Sequence, residues 1–151
     1  MLPSGNSSFD SPLVHILRHN ESRKEETVNF ARRVFLIAGI YGLIVLLPMY
    51  LLEEKTGRDF PPPITHPEYY YGFIGVAVAW QIVFLILSRD PLRYRPMMIP
   101  AILEKAVFGI PAVVLFLQHR ISTLTLAAGL VDLLLGVLFI LAYLNTADLA
   151  E

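Results

Sequence analysis

Four stretches of this chain are apolar over roughly the length an α-helix needs to cross a bilayer, and that pattern constrains the fold more than any other feature. They run from about Val34 to Leu52, Tyr69 to Ser88, Met97 to Gln118 and Ile121 to Leu144. About 20 residues at 1.5 Å each span the roughly 30 Å of hydrocarbon. A β-barrel strand would alternate apolar and polar residues over about ten positions, and none of the four does. Charge is scarce to match: 17% of the 151 residues are charged, against about a quarter in a soluble domain. The expected fold is all-α, an antiparallel four-helix transmembrane bundle covering residues 31–146.

Residues 1–30 carry Asp10, Glu21, Glu25 and Glu26 and no long apolar core, so they do not read as a cleaved signal peptide. Lys and Arg fall mainly on one side. Arg18, Arg23, Lys24, Arg32 and Arg33 precede the first span, and Arg89, Arg93 and Arg95 lie between the second and third. The other side has only Lys55, Arg58 and Arg120. The positive-inside rule then puts both termini, including the short tail 147–151, in the cytoplasm. Asn6 and Asn20, each in an Asn-x-Ser pattern, would face away from the glycosylation machinery.

The near balance of 12 basic and 13 acidic residues excludes a polybasic nucleic-acid binder, and no nucleic-acid partner is expected. The absence of cysteine excludes disulfides, Fe–S clusters and thiolate zinc sites. His15 and His19 share a helical spacing, and His66 and His119 share the outer side. Two neutral ligands per side are too few for a firm metal site. No histidine lies within a span to ligate a buried haem. Common hydrolase and nucleotide signatures are missing. Neither metal nor cofactor is expected.

Ser11 before Pro12 reads as a helix start. The segment from Pro12 to His19 is then either a short interfacial helix, with Leu13, Val14, Ile16 and Leu17 toward lipid, or a partly ordered tail on the headgroups. Ser22 and Glu25 read as a capping box opening the helix that becomes span one. Pro61, Pro62, Pro63 and Pro67 predict an extended, stiff outer loop over Glu53–Pro67. Tyr69, Tyr70 and Tyr71 fit an interfacial aromatic belt. On the inner turn, Arg89, Arg93 and Arg95 are expected to contact lipid headgroups. Pro48 and Pro111 should kink their helices, and Gly39, Gly42, Gly72, Gly75 and Ala79 form small-residue ridges suited to close packing.

The exceptions to apolarity carry the functional signal. Charges in hydrocarbon cost from about 2.5 kcal/mol upward and need a partner or water. Glu104 and Lys105 sit about 10–12 Å deep in span three, and Asp132 about 18 Å deep in span four. A lysine stem reaches about 6 Å, so Lys105 can pair with Asp132. Small and polar residues, among them Gly129 and Gly136, surround Asp132 on its helix face, which should point inward. Gln81, Trp80 and Tyr41 fall at similar depth. Together the six form either a polar cavity open toward the cytoplasmic leaflet or a buried network that fixes helix register.

The turn Arg89-Asp90-Pro91-Leu92-Arg93-Tyr94-Arg95-Pro96, followed by Leu103-Glu104-Lys105 and Val131-Asp132-Leu133-Leu134-Leu135-Gly136, resembles small bacterial four-helix membrane proteins of DoxX-like layout. The resemblance implies a four-helix bundle in a bacterial inner membrane and carries no activity with it. The expected role is non-enzymatic: binding a lipid-like molecule or a partner membrane protein, or a second copy, through the inner-leaflet polar layer. The competing expectation is an intramembrane acid–base enzyme or proton-coupled carrier using Glu104 and Asp132. Direct, dry Lys105–Asp132 pairing favours the first, and a water-accessible cavity reaching both carboxylates favours the second.

Overall fold

The computed structural model describes residues 12–149. Those residues contain no strand and four helices long and apolar enough to cross a membrane. The helices are α1 (Pro12–Leu46), α2 (Glu53–Asp59), α3 (Pro67–Arg89), α4 (Met98–Leu117) and α5 (Thr123–Asn145). Short 3-10 turns follow α1 at Leu47–Leu51, precede α4 at Arg95–Met97 and follow α5 at Ala147–Leu149.

Helix α1 is continuous, contrary to the separate interfacial helix and the Ser22 start expected from sequence. Ser22 lies inside it. Between Leu13 and Ala38 no proline or glycine interrupts a run rich in Arg, Lys and Glu, all good helix formers, so nothing ends the helix there. Its 35 residues extend about 52 Å, some 20 Å more than a bilayer core. The proposed Ser11 cap and the tail 1–10 lie outside the described residues. At the other end Pro48 terminates α1 instead of kinking it: the chain tightens into the 3-10 turn Leu47–Leu51. Proline has no N–H for the carbonyl four residues back and its ring crowds that carbonyl. Pro111, in contrast, is carried inside α4.

The connection between α1 and α3 is only half extended. Glu53–Asp59 form α2, and the proline run follows it. Tyr70 donates its hydroxyl to the Met49 carbonyl (2.8 Å), and Tyr71 donates to Glu53 Oε2 (2.7 Å), so these tyrosines fasten the connection to α3. Between α4 and α5 the turn is tight. His119 adopts φ 56°, and the N–H groups of His119 and Arg120 bond to the carbonyls of Phe116 and Leu115, closing α4. Ser122 then caps α5, accepting from the Thr125 N–H at 3.2 Å.

Helices α1 and α3 pack as one close pair and α4 and α5 as another; α1 against α5 joins the pairs, while α3 and α4 touch only briefly. Each close pair is built on glycine. A Cβ on Gly109 would stand 2.6 Å from Leu133 Cγ, and one on Gly129 would stand 2.5 Å from Ala112 Cβ. A Cβ on Gly39 would stand 2.8 Å from Leu85 Cδ2. Without interior water to expel, such close backbone approach is what holds membrane helices together. Gly72 and Ala79 belong to neither seam: both are exposed, and nothing lies within 4 Å of a Cβ built on Gly72.

The core gathers at the Arg-rich end. Phe35, Phe84 and Phe139, from α1, α3 and α5, are fully buried. Phe139 stacks on Phe35 (centroids 4.3 Å) and meets Phe84 edge-on (5.0 Å). Ala31, Ala38, Leu87, Met98, Ala101 and Ala142 close around them. Outward, Ile37, Ile44, Val76, Leu103, Val107 and Leu134 are each more than half exposed, an apolar exterior suited to lipid.

Candidate functional site

Lys105 is the centre of the site. Helical periodicity sets it on the face of α4 that also carries Ala101, Gly109 and Ala112, all buried. Its side chain is 6% exposed. Nζ donates to Asp132 Oδ1 on α5 at 3.1 Å and lies 3.2 Å from Glu104 Oε2. It also stands 5.2 Å from the Phe84 ring centroid on α3, a cation–π distance. Gly136 admits the lysine stem, since a Cβ there would lie 3.4 Å from Lys105 Cβ. Two carboxylates thus share one ammonium, and all three groups are largely withdrawn from the surface.

Glu104 is withdrawn to the same degree as Asp132, 17% against 18% exposed, but it is set on a different side of the cluster. It precedes Lys105 by one residue, so it is turned about a quarter of the way round α4. Phe108 lies one turn further on the same side, and its ring is 6.4 Å from Phe73 of α3. Glu104 therefore faces the weakly packed α3–α4 seam. Its Oε2 is buried and has no hydrogen-bond partner, because Lys105 approaches at ion-pair distance but not in hydrogen-bonding geometry. On the opposite wall, Phe73, Ala77, Trp80 and Phe84 share one face of α3. Trp80 is half-buried with its ring 6.2 Å from Phe84.

The six residues expected to act together are divided. Glu104, Lys105 and Asp132 converge, with Trp80 beside them through Phe84. Gln81 points the other way, to α1. It donates Nε2 to its own Ala77 carbonyl at 2.9 Å, and its Oε1 lies where a Cβ on Gly42 would be, 2.0 Å from that point. That oxygen is buried with no conventional donor; the Gly42 Cα–H aimed at it is a weak one. Tyr41 is 41% exposed on the outside of α1 and leaves the cluster. Similar depth did not imply a shared face. Phe84 is the residue that sequence reading missed, since an apolar ring in an apolar span carries no distinguishing signal.

The arginines of the turn between α3 and α4 also differ among themselves. Arg95 folds inward: its Nη2 donates to the Tyr143 carbonyl at 3.1 Å, and its guanidinium lies 4.0 Å above the Tyr143 ring. It serves the last turn of α5, where the free carbonyls favour a cation. Arg93 and Arg89 are exposed. Arg32 of α1 reaches the Arg89 carbonyl at 3.4 Å. A groove of about 550 Å³ lies at this end and not at the charged cluster, lined by Lys24, Glu25, Val28, Asn29, Leu92 and Leu149. His66 pairs with Glu68 at 3.1 Å. Among the described residues no three His, Asp or Glu side chains are grouped to hold a metal ion.

No family of known proteins, no curated protein and no solved structure matches this chain. The DoxX-like resemblance therefore rests on layout alone.

Proposed function

We propose that this protein is a non-enzymatic, antiparallel four-span bundle of the bacterial inner membrane, both termini cytoplasmic, that binds a lipid-like molecule at the α3–α4 seam. The observation that carries the reading is Glu104. Its carboxylate faces the α3–α4 seam, where the two backbones touch only briefly, and Oε2 lacks a hydrogen bond. Its ion-pair partner Lys105, 3.2 Å away, is shared with Asp132, and a headgroup donor entering from the membrane would add the hydrogen bond that this carboxylate lacks. The seam walls, Phe73, Ala77, Trp80 and Phe108, suit an acyl chain. Direct Lys105–Asp132 pairing supports binding over acid–base chemistry, because the lysine already engages the carboxylate that a catalyst would need free. The eight Lys and Arg on the inner side against three outside support the orientation, and exposed Arg89 and Arg93 suit headgroup phosphates.

Native mass spectrometry of the detergent-purified protein tests the reading. We expect a lipid-like adduct on the wild type and its loss in Ala77→Phe, which fills the seam, with size-exclusion profiles confirming that both are folded. An adduct retained unchanged by Ala77→Phe, or a wild type that takes up no added lipid, overturns it.

A further inference from the structure

We propose that the amphiphile held at this seam carries a single positive charge, seated as an ammonium against Glu104 and Asp132 beside Trp80 and Phe84. The inference rests on the seam being an amphiphile site and adds the chemistry of the headgroup.

Two carboxylates and one ammonium give the cluster a formal charge of −1 when all are ionised, and no other cationic side chain pairs with either carboxylate among the described residues. A net charge within hydrocarbon is unfavourable. A monovalent cation arriving from the membrane would balance it. A neutral headgroup would leave it, and an anionic one would double it.

Hydrogen bonding and aromatic contact point the same way. Lys105 is engaged by Asp132, Glu104 and the Phe84 ring, so it has little to offer an incoming anion. Glu104 Oε2, which lacks a hydrogen bond, can accept from an N–H donor. The Phe84 ring already carries one ammonium at cation–π distance, and Trp80, the aromatic type best suited to this contact, stands next to it. The feature is thus a mixed cluster of surplus acid, in which two carboxylates share one ammonium beside a cation-binding aromatic wall.

Trp80 is the only tryptophan of the chain, so its emission reports on this site alone. The test titrates the protein, in neutral detergent, with dodecylammonium, dodecanol, dodecanoate and ethylammonium while following Trp80 fluorescence. Dodecylammonium should bind about tenfold tighter than dodecanol, the effect of one charge-assisted hydrogen bond, and dodecanoate weakest. Glu104→Gln and Asp132→Asn each leave a balanced pair and should erase the preference. Equal binding of dodecanol and dodecylammonium, or a preference unchanged in both variants, overturns the charge inference and leaves the amphiphile reading standing. Should either variant fail to fold, the wild-type ratio alone decides. Ethylammonium binding as tightly as dodecylammonium would overturn the amphiphile reading, and no response to any of the four probes would overturn both.

Discussion

Lys105 Nζ lies 3.1 Å from Asp132 Oδ1, tying α4 to α5 between the two glycines, Gly129 and Gly136, that let the helices approach. The pair is not balanced by itself, because Glu104 contributes a second carboxylate to the same ammonium.

That imbalance makes the three side chains unequal. Lys105→Met strands two carboxylates and should cost about 3–5 kcal/mol, as when a buried pair loses one partner. Asp132→Asn and Glu104→Gln each leave one acid facing one base and should cost clearly less. Unfolding in detergent measures the order, and a Lys105→Met protein as stable as either carboxylate variant would contradict it.

Glycine positions divide sharply into closed and open. Gly129→Ala drives its methyl to 2.5 Å from Ala112 Cβ and should destabilise by about 1–3 kcal/mol. Gly72→Ala meets open space in a helix and should be neutral or stabilising by up to about 1 kcal/mol. Gly42→Ala collides with the Gln81 amide, and adding Gln81→Ala should recover part of the loss. A double-mutant cycle on residues 42 and 81 showing simple additivity would argue against the contact.

His119 holds a left-handed backbone conformation that costs a residue with a Cβ about 1 kcal/mol. His119→Gly should therefore raise stability by about 0.5–1 kcal/mol. A drop on this substitution would mean that the imidazole makes a contact outweighing the backbone gain.

Arg95 and Arg93 are two residues apart yet face different environments. Arg95→Ala loses the Tyr143 carbonyl bond and the stacked ring and should cost about 1–2 kcal/mol. Arg95→Lys should recover little of this, lacking the planar fork. Arg93→Ala is expected within about 0.5 kcal/mol of wild type. Amide exchange at residues 142–146 should rise in the Arg95 variants alone.

What the sequence determined by itself is the set of spans and the inward setting of Asp132. Both follow from local physics: hydrocarbon thickness dictates the length of each apolar run, and a charge flanked by small residues cannot face lipid. Helix ends depend on more than composition, as at the uninterrupted α1 and the helical start of the connection between α1 and α3. Only the tertiary structure decided which helices are neighbours. That order sends Glu104 toward α3 and Gln81 toward α1, leaves Tyr41 outside, and turns Arg95 back onto α5. Depth along a helix can be counted in residues. Rotation and neighbour order arise from many packing contacts at once, each small, between residues far apart in the chain.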